Sequence, residues 1–194
     1  MNIFILSVAR SGSFTLTNAF AKTFDLNPIR EPYNVFLDNS NLSEDIQKDR
    51  MNLRNKMELP NRWVVKCISD EVSFHHIEFL HSKSNNTILL GRRETHRKIE
   101  SLNYAFRNLN ADWHQKYTFK RQTISEEVRR ISYRQDELLN TYSSLLDIPI
   151  TYYEDLYFND KFRYEFVRNF TNKGITLLSY LDKNYKYRKD SSII

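Results

Sequence analysis

Cysteine, glycine and proline are all scarce in this chain, and each scarcity excludes something. Cys67 is the single cysteine among 194 residues, so no intrachain disulfide can form and a reducing compartment is expected. Three glycines and four prolines leave little material for long flexible linkers. No stretch approaches the ~20 apolar residues that a membrane span requires. The apolar run Ile3–Val8 is too short for a secretion signal, and no basic segment precedes it. These absences predict a soluble, cytoplasmic protein without a membrane partner. Metal-ligand spacing is missing too. His75, His76, His81, His96 and His114 make no zinc pattern with Cys67 or with each other, so no metal is expected. No G-x-S-x-G elbow supports a Ser-His-Asp site. His75 and His76 read as packing residues beside apolar neighbours.

Aromatic side chains, by contrast, are plentiful. With 13 Phe, 12 Tyr and 40% apolar residues, an aromatic-rich core is within reach. The formal charge of +5 suits an anionic ligand without singling out nucleic acid. Tyr and basic residues alternate in Tyr185–Lys189, but a solvated tail explains them, and no nucleic-acid partner is expected. The reading is one domain over residues 1–182 and a polar tail over 183–194.

Apolar runs of strand length recur along the chain, each followed by a helical pattern. Strands are expected at Ile3–Val8, Asn27–Arg30, Arg62–Ile68, Asn86–Gly91 and Pro149–Tyr153. Helices are expected at Ser13–Phe24, Ser43–Met57, Glu71–His81, Thr95–Asn108, Thr123–Leu146 and Phe158–Phe170. Phe14, Leu16, Phe20 and Phe24 form the apolar set of the first helix, and Ser69 or Asp70 is the expected cap of the third. Ile124, Val128, Ile131, Leu138, Tyr142 and Leu145 give the fifth its core stripe. Alternation of this kind predicts an α/β fold with a mostly parallel sheet of about five strands between helices.

The first strand runs into Ala9-Arg10-Ser11-Gly12 and then a helix. That is the geometry of an anion site, where backbone N–H groups and the positive end of the helix dipole converge. Gly12 permits close approach. Ser11 and Ser13 offer hydroxyls, and Arg10 a planar positive fork. The nucleoside-triphosphate pattern G-x-x-x-x-G-K-S/T fails here. Aligned on Gly12, Ser7 replaces the first glycine, Ser13 the lysine and Phe14 the magnesium-binding hydroxyl. The alternative is an ordinary strand–turn–helix corner.

Four segments, in order, resemble the P-loop sulfotransferase family. Arg10-Ser11-Gly12-Ser13-Phe14-Thr15-Leu16 is similar to its first signature, with Phe14 where a hydroxyl residue is usual. Arg30-Glu31-Pro32-Tyr33-Asn34 resembles a Glu-Pro stretch of its carbohydrate-type members. Arg93, with Ser101 eight residues on, has the family's spacing, and Tyr153-Glu154-Asp155-Leu156 resembles a later motif. The resemblance implies a nucleotide-kinase-like three-layer P-loop fold and the sulfuryl donor 3′-phosphoadenosine 5′-phosphosulfate (PAPS), with product PAP. It implies that Arg10, Ser11, Gly12, Ser13, Phe14 and Thr15 hold the phosphosulfate end. Arg93 and Ser101 would then hold the 3′-phosphate. Lys173 beside Gly174 would join them, unless the pair is a helix stop. Glu31 is the candidate base, or else a cap or a partner of Arg30. Lys66 is a second positive group at the sulfate, or else a surface lysine. Of the adjacent Arg92 and Arg93, one is expected to bind phosphate and the other to be salt-bridged.

The expected reaction is sulfuryl transfer to a hydroxyl or amine of a small-molecule or carbohydrate acceptor. Two other readings stand beside it. One is a small nucleotide kinase or other phosphotransferase on the same scaffold. The other is an inactive module that binds PAP or another nucleotide. The acceptor and the oligomeric state are not legible from the residues.

Overall fold

The computed structural model describes residues 1–34, 43–107, 123–170 and 176–181. Among these residues five strands, β1 (Ile3–Ser7), β2 (Asn27–Arg30), β3 (Trp63–Ile68), β4 (Asn86–Gly91) and β5 (Ile150–Tyr152), form one sheet. All pairings are parallel, in the order β2-β3-β1-β4-β5. Every residue of β1 and β3 is buried, which is why both read as continuous apolar runs rather than alternating ones. Pro28 falls inside β2, and β2 is an edge strand, where a missing N–H is tolerated.

Among the described residues the helices around the sheet are α1 (Ser13–Phe24), α2 (Glu44–Lys56), α3 (Phe74–Lys83), α4 (Thr95–Arg107), α5 (Glu126–Leu146), α6 (Tyr153–Phe158) and α7 (Asp160–Arg168). Residues 176–181 are also helical. Among the described residues the two larger core clusters lie one on each sheet face, and a third, smaller one joins Ile99, Leu102 and Val128 between α4 and α5. Ile3 and Ile5 join Leu16, Phe20, Tyr153, Tyr157 and Phe170 on one side. Phe4 and Leu6 join Ile77, Leu80, Leu139 and Tyr142 on the other. The chain is thus an α/β fold of three layers, as the alternating pattern predicts. None of the described helices is long and apolar enough to cross a membrane.

Several boundaries and faces differ from the sequence reading. Ser73, not Ser69 or Asp70, is the N-cap of α3, so the helix starts at Phe74. Ser69 instead opens the turn after β3, its N–H donating to Ser7 O at 2.9 Å, and Glu71 closes that turn by donating its N–H to Ile68 O at 3.1 Å. The closing segment is two helices. The Asn159 side chain accepts from Phe162 N–H and restarts the chain as α7. On α5, Leu145 is 60% exposed, whereas Gln135 takes a core position at 4%. Phe14 leaves the apolar stripe of α1 and is 47% exposed. The tail at 183–194, Lys173 and His114 lie outside the described residues.

Candidate active site

The carboxyl ends of the strands bring the candidate residues to one edge of the sheet. From there β1 connects leftward through α1 to β2, while β4 connects rightward to β5. The crevice between them is the switch point at which α/β folds accept ligands. It is walled by the Arg10–Gly12 loop and by Arg92.

The loop is built to hold its shape. Val8 N–H donates to Leu90 O (3.1 Å), and Ala9 N–H donates to Gln135 Oε1 (2.9 Å). Arg10 and Gly12 both take left-handed φ, 61° and 76°. At Gly12 a Cβ would also lie 2.8 Å from the Tyr157 ring and 2.9 Å from that of Tyr153. The Tyr157 hydroxyl donates to Gly12 O at 3.0 Å. Leu16 N–H donates to Gly12 O, so the amides ahead of it in the first turn of the twelve-residue α1 are directed at the loop. This suits an anion. The serine hydroxyls contribute less than expected. Ser11 is fully buried and donates inward to Val8 O (2.8 Å), and Ser13 is also buried. Thr15 is half-buried in the first turn.

The Arg93–Ser101 pairing is not assembled. Arg10 Nε donates to Ser101 Oγ at 2.7 Å, so Ser101 stands with the loop. Arg93 forks onto Asp155 with both guanidinium nitrogens, at 2.5 and 2.7 Å, and lies 4.2 Å above the Tyr152 ring. Arg92 Nη1 donates to Arg10 O at 3.0 Å and its guanidinium lies 4.9 Å above the Tyr153 ring. Both arginines are thus ion-paired, Arg93 with Asp155 and Arg92 with Glu154 (3.8 Å) and Glu94 (4.0 Å), and Arg92 is the one that also faces the loop. A cleft of about 310 Å³ opens on the far flank of these arginines, lined in part by Gly91, Asp136, Asn140 and Tyr152. No residue of the 10–15 loop reaches it.

Glu31 and Lys66 form an ion pair beside the loop's helix, with Lys66 only 6% exposed. Lys66 is no surface lysine. It sits within β3, level with Ile5 of β1 and Arg30 of β2. Glu31 takes a left-handed φ of 46°, and its N–H donates to Lys66 O at 2.6 Å. Arg50 of α2, 1% exposed, clamps the turn by donating to Glu31 O (2.9 Å) and Asn34 O (2.8 Å). Burial alone would raise the Glu31 carboxyl. The Lys66 ammonium, hydrogen bonds from Lys66 and Asn34 and the Arg50 guanidinium outweigh it and hold the group below its usual range. Arg30, next in the chain, does not pair with Glu31. It bonds Asn18 of α1, and its guanidinium stacks 4.4 Å from the Phe14 ring.

Sequence reading missed Glu71, Asn34, Arg50 and Gln135. Their roles rest mostly on contacts between distant segments; Asn34, which closes the Glu-Pro stretch and bonds Glu31 three residues back, is the local exception. Among the described residues no group of three or more His, Cys, Asp or Glu side chains is placed to hold a metal ion.

No family model matches the chain, and no curated protein matches it. A solved, unliganded sugar kinase from Janibacter sp. HTCC2649 is similar over 76% of this chain and 94% of that one, at 10% identity and a TM-score of 0.33. A likeness that slight bears on neither fold nor function.

Proposed function

We propose that the chain is a transferase that holds a nucleotide-linked anion on the Arg10–Gly12 loop, and that the group it moves is the sulfuryl group of PAPS. The observation that supports this most is a loop suited to an anion after β1, together with a carboxylate–ammonium pair, Glu31 and Lys66, carried by β2 and β3 on one side of that strand. The first-turn amides of α1, with Arg10, would hold the phosphosulfate end. Ser101, fixed by Arg10, would meet the 3′-phosphate. Arg93 would join it by exchanging Asp155 for phosphate. When bound, the donor supplies an activated sulfuryl group on a phosphate leaving group.

The protein's part is proton and charge management. Glu31, ionised, is poised to take the proton of an acceptor hydroxyl. Lys66 neutralises Glu31 at rest and stands ready to stabilise negative charge during transfer. Phe14 and Arg30, stacked at the mouth, offer an apolar ring and a positive fork to the acceptor. A carbohydrate or another small hydroxyl compound is the acceptor class this surface suits.

Thermal shift with PAP and with Mg-ATP tests the reading. A rise in melting temperature with PAP is expected, because a ligand of the native state stabilises it. Response to Mg-ATP with none to PAP would sink the sulfuryl-donor reading in favour of a phosphotransferase on this scaffold. Glu31→Gln should keep the PAP response and abolish transfer in an acceptor screen. Full transfer by that variant would remove Glu31 as base.

A further inference from the structure

Glu71 lies in the turn between β3 and α3, outside any helix, and approaches the Glu31 site from a different segment. The Asn34 side-chain amide joins the two carboxyl groups. Its Nδ2 donates to Glu71 Oε1 at 2.9 Å and to Glu31 Oε2 at 3.3 Å. The positive charge facing this pair is Lys66 from β3 and Arg50 from α2, and Asp70 adds a third carboxyl beside Glu71. The Cys67 thiol also lies within electrostatic reach. Lys66 is bonded to Glu31, and Arg50 is spread over two backbone carbonyls. Glu71 Oε2 is fully buried and has no hydrogen-bond partner among the described residues.

An ionised carboxylate oxygen buried without a donor is strongly disfavoured, whereas a neutral carboxyl bears burial far better. Two carboxylates sharing a site cannot both ionise cheaply either. The geometry thus divides the pair. Glu31 has the ammonium and carries the charge. Glu71 has one amide donor and burial, and carries the proton.

We propose that Glu71 is a positioning residue for Glu31, the uncharged half of a one-proton carboxyl pair that holds the Asn34 amide against the Glu31 carboxylate. The role rests on the reading of Glu31 as base, while the pairing itself stands without any donor or acceptor. Burial, first, and the Glu31 charge, second, push the Glu71 carboxyl up to about 8. The pair therefore keeps its single charge at neutral pH and loses that arrangement in mild alkali.

The sign of the stability effect follows. A carboxyl raised in the folded state binds its proton there after the unfolded chain has released it. Stability then falls as pH rises from the unfolded value toward the folded one, and levels off above it. Glu71→Gln mimics the neutral form and lacks that fall. Melting temperatures of native protein and Glu71→Gln, compared from pH 5 to 9, should diverge in favour of the variant up to about pH 8 and run parallel beyond. In carboxyl 13C NMR, the resonance that vanishes in Glu71→Gln should titrate near that pH in the native protein. It should move to clearly lower pH in Glu31→Gln, where the opposing charge is gone. Parallel melting curves, a Glu71 titration near 4.5, or a titration unmoved by Glu31→Gln would each overturn the pairing. These measurements need no PAPS, so the pairing and the sulfuryl-transfer reading can fail separately.

Discussion

At Gly12 two constraints coincide. Its φ of 76° is one that L residues avoid, and the rings of Tyr153 and Tyr157 occupy the space a Cβ needs. Gly12→Ala should destabilise the fold by at least about 1–2 kcal/mol from backbone strain alone, read as a lower urea midpoint. Tyr157→Phe removes only the hydrogen bond to Gly12 O and should lower stability by about 1 kcal/mol. A Gly12→Ala variant as stable as the native chain would mean that the loop relaxes away from the tyrosines. Arg93 calls for the opposite expectation. Its pair with Asp155 leaves the arginine side chain 53% exposed. Exposed pairs contribute under about 1 kcal/mol. Arg93→Ala should therefore barely move the melting temperature. If it also leaves PAP affinity unchanged in calorimetry, Arg93 takes no part in binding the donor.

Helix α5 ties two loops of the site together. Gln135 accepts from Ala9 N–H with Oε1 and donates to Asp70 Oδ1 with Nε2 (2.9 Å each), and its carbonyl accepts from Ser69 Oγ. The Arg10–Gly12 loop and the turn that carries Glu71 thus share one buried side chain. Gln135→Leu would leave a half-buried N–H and a half-buried carboxyl without this partner, a loss of about 1 kcal/mol. Faster hydrogen exchange at the Ala9 amide should accompany it. Unchanged exchange there would show that the loop holds itself. This link also marks the limit of sequence reading. Strands β1, β3 and β4 were legible because burial on both faces demands continuous apolar runs. The loop was legible because glycine between a strand and a helix has few other uses. Gln135 looked like any polar position on a long helix, because its partners lie 65 and 126 residues away in sequence. Glu71 looked helical until Ser73 took the cap. The spacing of Arg93 and Ser101 suggested a shared ligand. Asp155, reachable only once β5 lies beside β4, binds the arginine instead.

For the molecule as a whole, the strand order places the loop-bearing strand at the centre, and both edges are short. β2 has four residues, including Pro28, and β5 has three. Short edges of this kind discourage pairing between molecules. The central position has a temporal consequence. Both neighbours of β1 come later in the chain, β3 first and β4 after it. Residues 8–62 must be made before β1 can find any partner, roughly 3–11 seconds at ordinary rates of synthesis. Through that interval Ile3-Phe4-Ile5-Leu6 is an apolar segment without a sheet, near the ribosome and open to any holdase. The strand that sets the Arg10–Gly12 loop is thus the one whose folding the newborn chain must postpone.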